Sequence, residues 1–234
     1  LEEGLVDEST TALCKGSFRL GRRDFHCWKK YGHGKVDIYK AIRESCDVYF
    51  YKIATKLDID ILAKYSSFFG LGKRLGINLP RETKGLIPTK KWKKMATNEE
   101  WQLGETLSCV IGQSFVLSTP LQLAMTYASI ANGGSLYRPY IIKEIFSNDG
   151  KIIKKNRPNL IREAKIKRKT LNIIKKGLYQ VVNQRKGTAW WYRGRGIQMS
   201  GKTGTSQVIR IGSDKIYSKC ENYEYKYKSH FKLL

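Results

Sequence analysis

Three observations predict an α+β fold for this chain of 234 residues. Apolar residues recur at helical spacing in several segments. Asn148-Asp149-Gly150 lies between two apolar runs, a pattern typical of β-hairpins. Helices and strands follow one another without the rhythm of parallel βαβ units. A hydrophobic share of 41% allows one soluble domain to bury a sizeable core.

Four helices are predicted. The first begins near residues 36–37, and the second spans about residues 60–69 before Gly70 ends it. Thr119-Pro120 starts the third, since threonine caps a helix and proline fits its first position. Thr170 caps the fourth. The residues expected on their buried faces are Ile38, Ile42, Tyr49, Phe50 and Ile53, then Leu121, Leu123, Ala124, Tyr127, Ala128 and Ile130, then Leu171, Ile174, Leu178 and Val181.

The other segments are expected to be irregular or extended. Residues 1–34 are irregular in this prediction, and glycines and prolines divide residues 70–104 into loops and short strands. Tyr140 to Phe146 and Lys151 to Lys155 form the hairpin. Residues 197–209 are predicted to be a strand. No run of apolar residues approaches the ~18 that a membrane-spanning helix needs.

The chain is strongly basic, with 44 Lys and Arg against 20 Asp and Glu and a net charge of +24. Such a charge suits polyanionic partners, and it also suits a solvated lysine-rich surface. Nucleic acid is not the expected partner, since no nucleic-acid-binding motif accompanies the charge. The residues that support that alternative are Lys215, Tyr217, Lys219, Tyr223, Tyr225, Lys226, Tyr227 and Lys228. An exposed hairpin explains their alternation equally well.

Two short motifs indicate chemistry. Lys202-Thr203-Gly204 matches the Lys-Thr-Gly element of penicillin-recognising serine enzymes, and Ser45-Cys46-Asp47 is a counterpart of their Ser-x-Asn element. With its other matching segments, the chain resembles the transpeptidase domain of class B penicillin-binding proteins of the elongation type over residues 1–228. Those segments are Trp28 to Gly34, Phe69 to Gly72, Gly76 to Pro80, Gly104 to Thr106, Ile111 to Ser114 and Leu117 to Ala124.

The resemblance implies a penicillin-binding transpeptidase fold, truncated at both ends, with helices packed on an incomplete antiparallel sheet, and acyl transfer in cell-wall synthesis. A serine attacks the D-Ala-D-Ala amide of a peptidoglycan stem peptide, and an amine of a neighbouring stem resolves the acyl-enzyme. β-Lactams imitate that peptide. The expected partners are therefore stem peptides, β-lactams and cell-wall elongation proteins, at the periplasmic face of the inner membrane. The chemistry requires no cofactor.

The same resemblance implies roles for six residues. Ser45 relays a proton to the leaving amine from the first turn of its helix, with Asp47 where most relatives have Asn. Lys202 supplies positive charge near the substrate carboxylate. Thr203 and Thr205 hydrogen-bond that carboxylate, the Thr205 N–H forms half of the oxyanion hole, and Gly204 leaves room for substrate.

The family's nucleophilic Ser-x-x-Lys element is missing from its place about fifty residues before the Ser-x-Asn element. The one formal match, Ser229-His230-Phe231-Lys232, follows the Lys-Thr-Gly element, without a helix to bury the lysine. We therefore expect a partial transpeptidase domain over residues 1–228 and a divergent tail over residues 229–234. On this interpretation the chain is a fragment, truncated at both ends and inactive alone. The alternative is a fragment that docks with a separately encoded N-terminal piece and so rebuilds the active site.

A possible metal site comes from Cys14, Cys27, His33 and Cys46. Three thiolates and one imidazole form a tetrahedral structural zinc site, although their spacing matches no standard zinc finger. Elongation-type relatives can bind metal in this region. A Cys14–Cys27 disulfide and separate buried thiols are the alternatives. His26 is the less favoured histidine, because Gly-His-Gly constrains the position of His33.

Overall fold

The computed structural model describes residues 1–194 and 196–205 and has an α+β architecture, as predicted. Its helices are α1 (Ile38–Glu44), α2 (Asp47–Ala54), α3 (Ile59–Phe68), α4 (Lys90–Thr97), α5 (Leu103–Val110), α6 (Pro120–Ala131) and α7 (Arg168–Asn183), with a 3₁₀ helix over Trp190–Tyr192. Its strands are β1 (Ala12–Cys14), β2 (Ser17–Leu20), β3 (Arg23–His26), β4 (Gly34–Val36), β5 (Ser135–Tyr137), β6 (Glu144–Phe146), β7 (Ile152–Lys155) and β8 (Leu160–Glu163).

The described strands pair antiparallel in four two-stranded sheets, β1–β4, β2–β3, β5–β8 and β6–β7. The chain divides into two compact units. One holds Leu1–Leu5, Ala54–Thr106 and Phe115–Lys175, and the other holds Val6–Ile53, Leu107–Ser114 and the described residues from Lys176 onward. In the second unit, Val181, Val182 and Ala189 form a core onto which Ile42 and Met199 pack. None of the described helices has the length and apolarity needed to cross a bilayer.

The N-terminal segment is more regular than predicted, because two strand pairs occupy residues 12–36. Two glycines permit their close approach. A Cβ atom at Gly16 would lie 2.0 Å from the Lys30 carbonyl oxygen, and one at Gly32 would lie 2.1 Å from that of Cys14. Both glycines have positive φ, which other residues rarely adopt. These backbone contacts were not visible in the local apolar pattern.

The helix predicted from residues 36–37 is two helices. Ser45 ends α1 in the left-handed conformation, with φ of 54°, and α2 begins at Asp47. Ser45 therefore lies before the first turn of α2, and the prediction that placed it within that turn was wrong. The apolar stripe is real at Ile38 and Tyr49, which are both buried. Apolar residues can therefore keep helical spacing across a break of two residues between two helices.

Helix α6 starts at Pro120 as predicted, with a capping box in which Thr119 and Gln122 bond each other's backbone N–H groups. Its buried residues are Gln122 and Ser129, whereas Ala124, Tyr127 and Ala128 are exposed. The predicted buried face was wrong at those three positions. Gln122 is buried because its side-chain amide donates to the carbonyl oxygens of distant loop residues.

Helix α4 was missed within residues 70–104, the segment predicted as loops and short strands, and helix α5 was missed at and beyond the end of that segment. The signal for α4 was Thr89, whose hydroxyl accepts a hydrogen bond from the Trp92 N–H. Helix α7 begins at Arg168, so Thr170 lies inside it rather than at its cap. Helix α3 confirms the second predicted helix, with Gly70 at a positive φ just beyond it. The predicted hairpin is confirmed by β6 and β7.

The strand predicted over residues 197–209 is absent from its described part, residues 197–205. The backbone there bonds to α7 instead of to a neighbouring strand. The Gly201 N–H donates to the Leu178 carbonyl at 3.2 Å, and the Asn183 amide donates to the Met199 carbonyl at 2.6 Å. Residues 206–234 lie outside the described residues, together with the predicted tail, Ser229–Lys232 and the Lys–Tyr pattern.

Candidate active site

Ser45–Asp47, called here the serine segment, is held by an indole that lies earlier in the chain. The Trp28 indole N–H donates to the carbonyl oxygens of Glu44 and Ser45, at 3.0 and 2.8 Å. The Trp28 backbone N–H donates to a carboxylate oxygen of Asp47 at 3.1 Å. One residue therefore fixes both ends of the serine segment. These bonds also support the left-handed backbone of Ser45, which a non-glycine residue adopts at a cost.

Lys202–Gly204, the lysine segment, meets the serine segment through one hydrogen bond. The Lys202 ammonium donates to the Ser45 hydroxyl at 2.7 Å and to the Thr203 carbonyl at 2.8 Å. Burial lowers the pKa of Lys202 to about 8, although the charge of Asp47 opposes that shift. Burial likewise raises the pKa of Asp47 to about 6. The two motifs thus place a serine hydroxyl beside a partly buried amine and a carboxyl group.

The rest of the lysine segment is more open. The Thr203 hydroxyl hydrogen-bonds the Thr188 hydroxyl at 2.7 Å. The Thr188 backbone N–H in turn donates to the Arg43 carbonyl of α1, at 3.1 Å. Gly204 and Thr205 are exposed, and a Cβ atom at Gly204 would have no described atom within 4 Å. Among the described residues, nothing occupies the space along residues 204–205 that a ligand would need.

The four predicted metal-binding residues come together in one buried cluster. The sulfur atoms of Cys14, Cys27 and Cys46 and a ring nitrogen of His33 all lie within 4.8 Å of one another. The Nδ1 atom of His33 is 3.6 Å from the Cys14 sulfur and 3.5 Å from that of Cys27. Around a tetrahedral zinc ion, usual Zn–S and Zn–N bond lengths give a sulfur–nitrogen separation of about 3.6 Å. The donor types and the two distances from His33 to the cysteine sulfurs therefore fit such an ion.

Hydrogen bonding within the cluster favours the thiolate form at one of its cysteines, Cys27. The Cys46 thiol hydrogen-bonds the Cys27 sulfur, which lowers the pKa of Cys27 and raises that of Cys46. Metal ions bind the thiolate form of cysteine. Cys14 and Cys27 are separate thiols in this structure, and His26 is exposed outside the cluster. The buried Nε2 atom of His33 has no hydrogen-bond partner among the described residues.

Two residues of the site were missed at the sequence level. Trp28 was noted only as part of a matching segment, and its position next to Cys27 was the available signal. Thr188 had no signal, because its contact with Thr203 depends on the turn after α7. Cys46 links the two parts of the site, since it lies in the cluster and between Ser45 and Asp47.

Comparison with known proteins gives consistent matches. Residues 1–223 match the family described as penicillin binding protein transpeptidase domain. The chain is 35% identical, over 227 residues, to a peptidoglycan D,D-transpeptidase MrdA of Acinetobacter baumannii; the match covers 93% of this chain and 32% of that relative. The chain thus spans about a third of the length of this curated relative.

Solved structures show the same fold. Penicillin-Binding Protein (PBP2) from Helicobacter pylori superposes with a TM-score of 0.78 at 36% identity, over 88% of this chain and 37% of that one. The complex of the Helicobacter pylori PBP2 with MreC gives a TM-score of 0.76 at 36% identity, over 87% of this chain and 36% of that one. The α+β architecture is therefore the penicillin-binding transpeptidase fold.

Proposed function

Because the chain belongs to the penicillin binding protein transpeptidase domain family, we propose that it forms part of a peptidoglycan D,D-transpeptidase site that cross-links stem peptides. The observation that carries this proposal is the hydrogen bond of 2.7 Å from Lys202 to the Ser45 hydroxyl. It joins two motifs 157 residues apart in the sequence. A chance Lys-Thr-Gly sequence has no reason to meet a Ser-x-Asp segment in this way.

The geometry supports a division of roles. Lys202, partly buried and charged below its pKa of about 8, attracts the terminal carboxylate of a stem peptide or a β-lactam. Thr203 and the exposed Thr205 offer hydroxyl groups to that carboxylate. Ser45, whose hydroxyl accepts a hydrogen bond from Lys202, relays a proton to the leaving amine. Gly204 leaves the approach clear.

The residues described above do not include the attacking serine. In this family that serine belongs to a Ser-x-x-Lys element. The only such pattern in the printed sequence is Ser229-His230-Phe231-Lys232, which lies outside the described residues. We therefore propose that the active site forms when a segment bearing that element joins this chain, with the element's serine acylated by substrate or by β-lactam.

Acylation by a β-lactam tests this proposal. The purified chain is incubated with benzylpenicillin alone and after co-expression with the Ser-x-x-Lys segment of a family member, and intact masses are recorded. We expect an adduct on the added segment and none on the chain. A Lys202→Ala variant that still co-purifies with the segment should lose the adduct, whereas Lys154→Ala should keep it. An adduct on a serine of this chain, or an adduct indifferent to Lys202, contradicts the proposal.

The charge of Lys202 gives a prediction about pH. Since burial lowers its pKa to about 8 from the usual 10.5, the amine is charged below about pH 8 and neutral above it. Reductive ¹³C-methylation followed by NMR should show one lysine resonance titrating near pH 8. That resonance should be missing in Lys202→Arg. A midpoint near 10.5 for every lysine contradicts the burial that we describe.

Partners and location follow from the same proposal. A relative of similar structure is known in complex with MreC, and we propose that a cell-wall elongation protein of that kind binds the protein that contains this chain. The corresponding location is the periplasmic face of the inner membrane, where stem peptides are cross-linked. Co-purification with a MreC homologue tests the partner.

A second proposal concerns the cysteine cluster. We propose that Cys14, Cys27, His33 and Cys46 bind a structural zinc ion, because their donor atoms have the spacing of a tetrahedral site. The ion would supply no catalytic step. It would fasten the loops around β1–β4 to Cys46 and so fix the backbone on either side of it, at Ser45 and Asp47.

Metal analysis with a matched pair of variants tests the zinc site. We expect about one zinc ion per purified chain, lost in Cys46→Ser and retained in Cys109→Ser, since Cys109 is buried outside the cluster. Cobalt substitution should give the intense thiolate charge-transfer absorption in the wild type and in Cys109→Ser only. A metal-free chain whose mass shows a Cys14–Cys27 disulfide contradicts the proposal.

A further inference from the structure

A basic cavity lies in the unit that contains α3, α4 and α6. Its volume is about 730 Å³, and four exposed cations line it. They are Lys73, Arg74, Arg81 and Lys84, with the Thr83 hydroxyl between the last two. This cavity is built from other residues than the serine and lysine segments, and the proposed transpeptidase chemistry makes no use of it.

Neighbouring carboxylates offset only part of the positive charge of this cavity, since four cations face one carboxylate in the lining. Glu82 is the one acidic residue of the lining, and its two oxygens accept the backbone N–H groups of Leu75 and Gly76, at 2.6 and 3.0 Å. Within residues 1–194 and 196–205, none of the four lining cations forms an ion pair. In the same unit, Lys90 and Lys94 do pair with carboxylates.

The backbone that presents these cations is fixed. The Gln122 amide nitrogen, on a side chain that is almost fully buried, donates to the Lys73 carbonyl at 2.7 Å and to the Lys84 carbonyl at 2.9 Å. A further cation, Arg138, packs against Gly76. Its guanidinium lies 2.9 Å from the position that a Cβ atom of residue 76 would take. Arg81 has a φ of 62° in the left-handed region.

We propose that this cavity binds a phosphate-bearing anion. Arginine guanidinium groups match phosphate oxygens with paired N–H donors, and lysines add point charges. Two arginines, two lysines and a hydroxyl around one cavity thus offer donors to more than one phosphate group. A pre-positioned backbone reduces the entropy lost when such side chains close on a ligand. The phosphate comes either from a soluble anion or from a lipid headgroup.

Calorimetry with inorganic pyrophosphate tests the site on the full chain. The cavity variant is Arg74→Gln with Arg81→Gln, and the control is Lys154→Gln with Arg157→Gln, which removes the same charge from exposed residues outside the cavity. We expect the cavity variant to weaken pyrophosphate binding by about tenfold or more, since each lost charge-assisted bond contributes. The control should stay within about twofold of the wild type, because neither residue lines the cavity and salt screens exposed charges that make no contact with the ligand.

Vesicle flotation distinguishes the two phosphate sources. If the wild type and the control float with phosphatidylglycerol vesicles but the cavity variant does not, the phosphate belongs to a lipid headgroup. If all three float alike while pyrophosphate still discriminates the cavity variant, the source is a soluble anion. The proposal is overturned if pyrophosphate does not bind, or if both double variants weaken its binding equally. Circular dichroism and thermal unfolding confirm that both variants keep the wild-type fold.

Discussion

The two halves of the proposed active site are held in different ways. Trp28 makes two hydrogen bonds to the serine segment and a third to Glu44 just before it, and the middle residue of the segment, Cys46, is completely buried in the cysteine cluster. The lysine segment is tied by the Thr188–Thr203 hydroxyl contact and by the bond from Lys202 to Ser45. The serine segment is thus held at a fully buried centre, whereas the lysine segment is held by single side-chain contacts and by the bonds of the preceding residues to α7.

Metal removal should break this comparison most strongly. If zinc supports the serine segment, a chelator should lower the free energy of unfolding by about 4 kcal/mol, the linkage expected for free zinc near 1,000 times its dissociation constant. Denaturant unfolding with and without chelator measures the effect. Cys46→Ser should be insensitive to chelator, and an equal shift in both proteins contradicts the role of the cluster.

Alanine at two glycines should separate the two halves next. Gly32→Ala should destabilise the protein by about 3 kcal/mol, because residue 32 has positive φ and its Cβ would meet the Cys14 carbonyl. Gly204→Ala should change stability by less than about 0.5 kcal/mol, because its Cβ meets no described atom within 4 Å. Equal losses in thermal unfolding would show that the lysine segment is packed as tightly as the cluster.

Trp28→Phe tests how much one indole N–H group contributes to holding the serine segment. The variant keeps a ring beside His33 but loses the indole N–H that donates to Glu44 and Ser45. We expect a loss of about 1 kcal/mol in the free energy of unfolding, the usual contribution of a neutral hydrogen-bond donor. Trp191→Phe, at a side chain that is 86% exposed, is the control and should change little. No difference between the two variants would remove Trp28 from the support of the serine segment.

Thr188→Val should give the smallest effect. It replaces the hydroxyl that bonds Thr203 with a methyl group of similar size. We expect a loss of about 0.5 kcal/mol, the lower range for a single neutral hydrogen bond. Chemical denaturation measures it against Thr205→Val, which alters an exposed hydroxyl. A loss as large as that of Gly32→Ala would show that the lysine segment has its own rigid support.

Much of the fold was accessible from local sequence, where local chemistry decides the structure. Thr119-Pro120 and Asn148-Asp149-Gly150 predicted a helix start and a hairpin that the structure contains. The cysteine cluster was also predictable, because thiols and an imidazole have few reasons to be grouped in a short segment. The clustering of its donor atoms could be proposed without knowing the strand pairs that produce it.

The features that were missed depend on contacts between distant residues. The break at Ser45 follows from bonds to Trp28, 17 residues earlier, and the amphipathic pattern around it continues undisturbed. Helix α4 was hidden by its lysines, although one of them, Lys93, is buried and pairs with Glu105. On α6 the apolar residues were expected inside, but the amide of Gln122 reaches loop carbonyls 49 and 38 residues away.

The side-chain amide of Gln122 fits its surroundings in one orientation only, with the oxygen accepting and the nitrogen donating hydrogen bonds. Its oxygen accepts the Thr119 N–H at 2.9 Å, and its nitrogen donates to Lys73 and Lys84. Glutamate has the same shape, but it would turn an acceptor oxygen toward two carbonyl oxygens and repel both. Leucine would leave both carbonyls and the helix cap without a partner. The position therefore admits no isosteric replacement, and a single amide sets the orientation of two loops relative to the start of a helix.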